Sequence, residues 1–117
     1  MKTLLIIEDD QSYSKVLATS LARKGFRIIV HNSGSQALDF IEQGNPTDLV
    51  ILDLKLPDMD GLSLMEQIKK RLDVPVVINS GYSQYKSDFI SWLADAYIDK
   101  SADLEELNLI INKLLIG

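Results

Sequence analysis

LVILDLKLPDMDG, residues 49–61, is a run of four large apolar residues that ends on Asp53 and continues into a short polar loop. Four consecutive apolar residues predict a strand that is buried on both faces, as in a parallel sheet. Pro57 and Gly61 are typical turn residues and mark the loop that follows. The stretch therefore predicts a buried strand with one carboxylate, Asp53, at its carboxyl end.

Similar short apolar runs occur on both sides of this stretch. The other predicted strands are 4–7, 27–31, 74–79 and 96–99. Apolar residues at helical spacing lie between and after the strands, and they predict helices over 13–21, 37–41, 62–72, 87–93 and 104–115. This alternation predicts an α/β fold, a doubly wound five-stranded parallel sheet with helices on both faces.

The length and composition indicate one acidic globular domain over residues 1–117. The formal net charge of −5 argues against direct contact with nucleic acid or anionic membranes. The absence of cysteine excludes disulfides and thiolate metal sites. The first apolar run is too short for a signal peptide, and no stretch approaches a membrane-spanning length. We therefore expect a soluble, cytoplasmic domain.

Polar residues follow four of the predicted strands. They are Glu8, Asp9, Asp10, Asp53, Ser80 and Lys100. In folds of this class, ligands bind at the carboxyl ends of the strands, beside the point where the strand order reverses. If the first and third strands are neighbours, at least three carboxylates lie close together and repel one another. Mg²⁺, which prefers oxygen ligands, would offset that repulsion. Asp10 fits equally well as the N-cap of the next helix.

The remaining groups suit phosphoryl transfer. A metal-bound carboxylate at Asp53 can attack phosphorus, while the Lys100 ammonium and the Ser80 hydroxyl can bind the equatorial oxygens. Each residue alone also has a simpler role, because Lys100 fits a solvated loop and Ser80, next to Gly81, fits a turn. Their joint placement at four strand ends favours a phosphoryl-transfer site.

Four segments together resemble the receiver domains of two-component response regulators along essentially the whole chain. They are IIEDD (6–10), LVILDLKLPDMDG (49–61), VINSGY (77–82) and AYIDKS (96–101). The resemblance implies a flavodoxin-like (βα)5 receiver fold. It also implies that Asp53 accepts a phosphoryl group from a phosphohistidine on a sensor histidine kinase or phosphotransfer protein, and that the domain catalyses its own phosphorylation and dephosphorylation.

The resemblance also implies the roles of the other site residues. Asp9 and Asp53 would bind Mg²⁺ directly, together with the backbone carbonyl of Lys55, and Glu8 would act through water. Ser80 and Lys100 would bind phosphoryl oxygens. Tyr97 matches an aromatic switch that packs inward when Ser80 moves toward the phosphate. The face that carries the output would comprise the fourth predicted helix (87–93), the fifth strand (96–99) and the last helix (104–115).

Two departures from the family pattern lead to predictions. The family usually has a cis Lys-Pro bond where this chain has Lys100-Ser101, and a cis bond before serine would cost ~2.5–4 kcal/mol. We therefore expect either a trans bond with a re-routed loop or a strained cis bond. Lys55 and Tyr82 stand at positions that tune acyl-phosphate hydrolysis in the family. Both are large, so we expect them to shield phosphorylated Asp53 from water.

Some features leave alternatives open. Leu109 and Ile116 lie off the apolar stripe of the last helix, which is consistent with peripheral packing or with a dimer or effector surface. His31, the only histidine, is expected at the surface, away from the crevice. A flavodoxin-like binder of a nucleotide or flavin is disfavoured, because acids stand where a phosphate-binding loop would have glycines. A degenerate receiver acting as a constitutive interaction module is the remaining rival.

Overall fold

The computed structural model describes residues 1–81 and 93–116. The strands there are β1 (Thr3–Ile7), β2 (Arg27–His31), β3 (Leu49–Leu52), β4 (Val76–Ser80) and β5 (Ala96–Asp99). The helices there are α1 (Gln11–Arg23), α2 (Gly34–Glu42), α3 (Gly61–Arg71) and α4 (Leu104–Ile116). Tyr82 and the predicted helix over 87–93, except its last residue, lie outside the described residues.

The five strands form one parallel sheet in the order β2-β1-β3-β4-β5. The chain passes from β1 outward to β2 and then crosses to β3 on the other side of β1, so the strand order reverses between β1 and β3. Ile7 pairs with Leu52, and Glu8 and Asp53 therefore follow neighbouring strands at the same level. The predicted doubly wound parallel sheet is confirmed, and with it the strand adjacency on which the carboxylate cluster depends.

Among the described helices, a separate pair packs against each face of the sheet. Leu5 and Ile7 of β1 pack with the apolar residues of α2 and α3, whereas Leu4 and Ile6 pack with those of α1 and α4. Successive residues of a strand point to opposite faces, so a strand covered on both sides must be apolar throughout. This explains why β1 and β3 are continuous apolar runs.

The ends of the helices agree with their sequence signals. Gly25 and Gly44 follow α1 and α2 with φ angles of +98° and +80°, the left-handed conformation that commonly ends a helix. Asp103 begins α4 by accepting a hydrogen bond from the Glu105 backbone N–H at 3.0 Å. Among the helices described, none combines the length and apolar character that crossing a membrane would require.

His31 differs from the sequence-based expectation. It is partly buried at the end of β2, and its ring lies against that of Phe40 with a centroid distance of 5.1 Å. Burial lowers the pKa of the imidazole. The prediction of a surface histidine holds only in part, because α2 packs across the edge strand and covers part of the ring.

Candidate functional site

The sheet brings the predicted polar residues to one edge. The strand hydrogen bonding continues past the strand ends: the Asp53 N–H donates to the Ile7 carbonyl at 2.9 Å, and the Lys100 N–H donates to the Ser80 carbonyl at 3.2 Å. These bonds fix the backbone from which the side chains project. The structure therefore places the site residues on a rigid edge and not on free loops.

Three carboxylates form the centre of the site. One oxygen from each of Glu8, Asp9 and Asp53 lies within 4.8 Å of the others. Glu8 is 2% exposed and Asp53 is 4% exposed, whereas Asp9 is open to solvent. Carboxylate oxygens with one side open to water are the donor set that Mg²⁺ prefers. The cluster therefore fits a hard divalent cation.

Lys100 places a positive charge inside this cluster. Its Nζ lies 2.6 Å from Glu8 Oε1 and 3.1 Å from Asp53 Oδ2. The lysine side chain crosses from the end of β5 to the ends of β1 and β3, and it is 25% exposed. One ammonium therefore contacts both of the buried carboxylates.

The electrostatics of the site follow from burial. Burial raises the pKa of Glu8 to about 7, the nearby charge of Asp53 acts in the same direction, and the bonds from Lys100 and the Asp10 backbone N–H oppose them. For Lys100, burial disfavours the charged form, but the hydrogen bond and charge of Glu8 and the charge of Asp53 outweigh it and raise the pKa. The ammonium is therefore held in its charged form by the acids beside it.

Asp10 is a helix cap. Its side chain accepts a hydrogen bond from the Tyr13 backbone N–H at 3.1 Å, and it is the N-cap of α1. Its own backbone N–H donates to Glu8 Oε2 at 3.0 Å. Of the two interpretations that the sequence allowed for Asp10, capping is the one the structure supports.

The loop from Asp53 to Gly61 is folded tightly against its neighbours. The Lys55 backbone N–H donates to Asp53 Oδ1 at 3.3 Å, and Lys55 pairs with Asp60 in an isolated bridge. Asp58 accepts hydrogen bonds from the backbone N–H groups at the start of α2, from Gly34 and Ser35, both at 2.9 Å. These bonds fix the path of the backbone at Lys55, although its side chain is exposed.

Ser80 and Tyr97 are adjacent. Ser80 is fully buried at the end of β4, and the side chain of Tyr97 on the neighbouring strand β5 lies beside it. Tyr97 is partly buried and packs against the core on the α2 and α3 side of the sheet. Burial raises the pKa of the Tyr97 phenol. The two residues that the family resemblance pairs as a switch therefore lie in contact.

The Lys100–Ser101 peptide bond is trans, since the described residues contain no cis peptide bond. Asp99 organises the turn that follows. Its Oδ1 accepts hydrogen bonds from the Ser101 backbone N–H at 2.9 Å and from the Ser101 hydroxyl at 2.8 Å. The trans alternative is confirmed, and a serine hydroxyl contributes to the turn.

Two residues near the site were not identified from the sequence. Tyr13 was assigned only to the apolar stripe of α1, yet its hydroxyl accepts a hydrogen bond from Asn79 Nδ2, and Lys100 Nζ lies 4.9 Å from its ring centroid. The one available signal was an asparagine inside an otherwise apolar strand. A contact between residues 66 positions apart leaves no pattern in a single sequence.

Comparison with known proteins identifies one family. The response regulator receiver domain family matches residues 4–112. Response regulator ArlR of Staphylococcus epidermidis is 34% identical over 109 residues, which is 92% of this chain and 49% of ArlR. The chain therefore spans about half the length of that relative.

Solved structures agree with this match. The crystal structure of the response regulator TrrA from Thermotoga maritima in complex with Mg²⁺-BeF is 37% identical, with a TM-score of 0.90 over 98% of this chain and 100% of that chain. A second crystal structure contains TrrA in complex with the histidine kinase ThkA. Its matching chain is 36% identical in sequence to this chain, with a TM-score of 0.89 over 98% of this chain and 99% of that one.

Proposed function

Since this chain belongs to the response regulator receiver domain family and is a two-component signalling receiver, we propose that Asp53 is its phosphoacceptor. The observation that carries the proposal is the surroundings of Asp53. It is buried at the end of β3, with Glu8 and Asp9 oxygens within 4.8 Å and the Lys100 ammonium at 3.1 Å. A carboxylate held among those groups is suited to attack phosphorus.

The proposed donor is a phosphohistidine on a sensor histidine kinase or phosphotransfer protein. An Asp53 carboxylate oxygen forms the new bond to phosphorus as the phosphorus–nitrogen bond of the donor breaks, and the leaving imidazole keeps the electron pair and takes a proton. Lys100 and Ser80 bind the oxygens of the transferred group. The crystal structure of the histidine kinase ThkA in complex with TrrA, to which this chain is similar, supports this class of donor.

Mg²⁺ is the proposed cofactor. Asp9, Asp53 and the backbone carbonyl of Lys55 would hold it, with Glu8 acting through water. When bound, it would neutralise the carboxylates and the incoming phosphoryl charge. The donor set of the acid cluster supports this assignment, as does the Mg²⁺-BeF complex of TrrA.

The proposed readout is a rearrangement of Ser80 and Tyr97. In this proposal the Ser80 hydroxyl moves toward a phosphoryl oxygen and away from Tyr97, which leaves room for the ring to pack inward. That change would reach the face formed by the predicted helix over 87–93, β5 and α4, where an effector or a second copy would bind. Leu109 on α4 is 68% exposed, which supports a contact surface there.

The remaining assignments complete the proposal. Residues 1–117 form a single receiver domain located in the cytoplasm. The domain makes no direct nucleic acid contact. It catalyses both the gain and the loss of its phosphoryl group. Lys55 and Tyr82 slow that loss by shielding the acyl phosphate from water.

The test is intact mass spectrometry after incubation with Mg²⁺ and a small acyl-phosphate donor. We expect the wild-type chain to gain one phosphoryl group, and Asp53→Ala and chelator-treated samples to gain none. Circular dichroism of each sample controls for folding. A folded wild-type chain that gains nothing would overturn the proposal and would favour a receiver that acts as a constitutive interaction module.

A further inference from the structure

A polar contact lies beneath the crevice, where the core is otherwise apolar. Asn79 is 2% exposed on β4, and its Nδ2 donates to the hydroxyl of Tyr13 on the first turn of α1. The Asn79 Oδ1 atom is buried and has no hydrogen-bond partner among the described residues. Burying an amide that is only half satisfied is unfavourable, and a β-branched apolar residue suits a central strand better. Stability alone therefore does not account for asparagine at this position.

The bond from Asn79 holds the ring of Tyr13 in one place. That ring lies beside the site: Lys100 Nζ is 4.9 Å from its centroid while it contacts Glu8 and Asp53. The ammonium is therefore bounded by carboxylates on one side and by an aromatic face on another. An aromatic face attracts an ammonium through the ring quadrupole.

A lysine ammonium is held in one position only if its surroundings restrict the long side chain. The ammonium is a point charge on a flexible four-carbon stem, and Lys100 has to reach from β5 to β1 and β3. A ring face also imposes no fixed hydrogen-bond direction. The ammonium can therefore shift from the Asp53 carboxylate toward the oxygens of a phosphoryl group without leaving the ring.

We propose that Tyr13 is a positioning residue for Lys100 in phosphoryl acceptance, and that Asn79 fixes the Tyr13 ring in that role. The inference rests on the proposed function, because it assumes that Lys100 binds the transferred group. Tyr13 acts through Lys100 and does not itself contact the reacting atoms.

The first experiment measures the position of the ammonium by NMR. The Lys100 ε-methylene protons of the metal-free protein, assigned by their loss in Lys100→Arg, should show an upfield ring-current shift. We expect Tyr13→Phe and Asn79→Val, which both remove the bond between the two side chains, to reduce that shift, and Tyr13→Leu to abolish it. An unchanged shift in Tyr13→Leu would overturn the proposal, and an unchanged shift in Asn79→Val would overturn the role of Asn79.

The second experiment measures the rate of phosphorylation by a small acyl-phosphate donor at saturating Mg²⁺. Tyr13→Leu should slow the rate about fivefold or more, and Tyr13→Phe, which keeps the ring face but loses the bond to Asn79, should slow it by less than Tyr13→Leu does. In a Lys100→Met background, Tyr13→Leu should have no further effect. An equal loss in both backgrounds would show a general structural effect and overturn the proposal.

The two readouts separate this inference from the function on which it rests. A folded wild-type chain that gains no phosphoryl group would overturn the proposed function, whereas the NMR shift would still report whether the ring holds the ammonium. A wild-type chain phosphorylated on Asp53, with Tyr13→Leu equal to it in rate and in the Lys100 shift, would overturn only the role of Tyr13.

Discussion

At the scale of single residues, Lys100 balances the charge of the site. It contacts two buried carboxylates that would otherwise repel each other, and the same ammonium is proposed to bind the phosphoryl group. A hydrogen bond to a charged group contributes about 1.5–3 kcal/mol. We therefore expect Lys100→Met to slow phosphorylation by a small acyl-phosphate donor about 10- to 100-fold.

Lys70→Met is the matched control for that substitution. Lys70 is an exposed lysine on α3, so the control removes the same charge away from the strand ends. Phosphorylation rates measured by mass spectrometry at saturating Mg²⁺ should stay near wild type in this variant. Equal rates in Lys100→Met and wild type would show that the lysine has no part in the transfer.

The sequence identified individual site residues only where a polar side chain stood at an unusual position, directly after a buried strand. Asp53, Glu8 and Ser80 were identified because polar groups at the carboxyl ends of buried parallel strands commonly form a binding site. Asp10 remained undecided, because a carboxylate between a strand and a helix can serve either as an N-cap or as a metal ligand. Tyr13 was missed because a tyrosine at helical spacing on an apolar stripe is most simply interpreted as a core residue.

At the scale of elements, Asp58 connects the loop after β3 with the start of α2. Its carboxylate accepts hydrogen bonds from the first N–H groups of α2, and thereby holds the loop that carries Lys55. We expect Asp58→Ala to cost about 1 kcal/mol of stability, as loss of a helix cap does. Because the loop would no longer be fixed, we expect Mg²⁺ affinity, measured by calorimetry, to fall about tenfold.

The same substitution has a defined pH dependence. The hydrogen bonds from Gly34 and Ser35 lower the pKa of Asp58 below its ordinary value of 3.8. A group with a lowered folded-state pKa stabilises the protein above its unfolded pKa, and this contribution is lost as the pH falls through the folded pKa. The difference in melting temperature between wild type and Asp58→Ala should therefore be full at about pH 5 and above, and should shrink below about pH 4.

Asp73→Ala is the control for Asp58→Ala, because Asp73 is also an exposed aspartate and its loss changes the net charge equally. Unchanged Mg²⁺ affinity in Asp58→Ala would mean that the loop keeps its path without the contact to α2. A pH-independent difference in melting temperature would mean that the carboxylate charge does not contribute.

The strands were predictable because burial on both faces of the sheet requires a continuous run of apolar residues. Strands β1 and β3 are continuous apolar runs, and glycine, a residue that commonly follows a helix, stands after both α1 and α2. The contact between Asp58 and α2 was not predictable, since it depends on how a loop folds over a neighbouring helix. The same holds for the turn at Asp99, whose side chain accepts hydrogen bonds from the serine two residues later.

At the scale of the whole molecule, two exposed apolar residues lie on two neighbouring helices, α1 and α4. Val16 is 58% exposed on α1, and Lys15, Thr19 and Arg23 lie around it; Leu109 is 68% exposed on α4. Val16 is one turn along α1 from Tyr13, whose ring lies beside Lys100. A protein that delivers a phosphohistidine to Asp53 has to cover the edge of this crevice. We infer that Val16 belongs to the donor surface and Leu109 to the output surface.

The same substitution at both positions tests this division, since each replaces an exposed apolar side chain with a charged one. The first donor is a phosphohistidine protein that phosphorylates the wild-type chain, and Val16→Glu should slow transfer from it about tenfold. Val16→Glu should leave phosphorylation by a small acyl-phosphate donor unchanged. Leu109→Glu should leave both rates unchanged and should weaken self-association of the Mg²⁺-BeF complex in analytical ultracentrifugation.

If Val16→Glu slows phosphorylation by both donors equally, the substitution disturbs the site itself. If the wild-type complex sediments as a monomer, the homodimer is excluded and an effector remains the candidate occupant of the α4 surface.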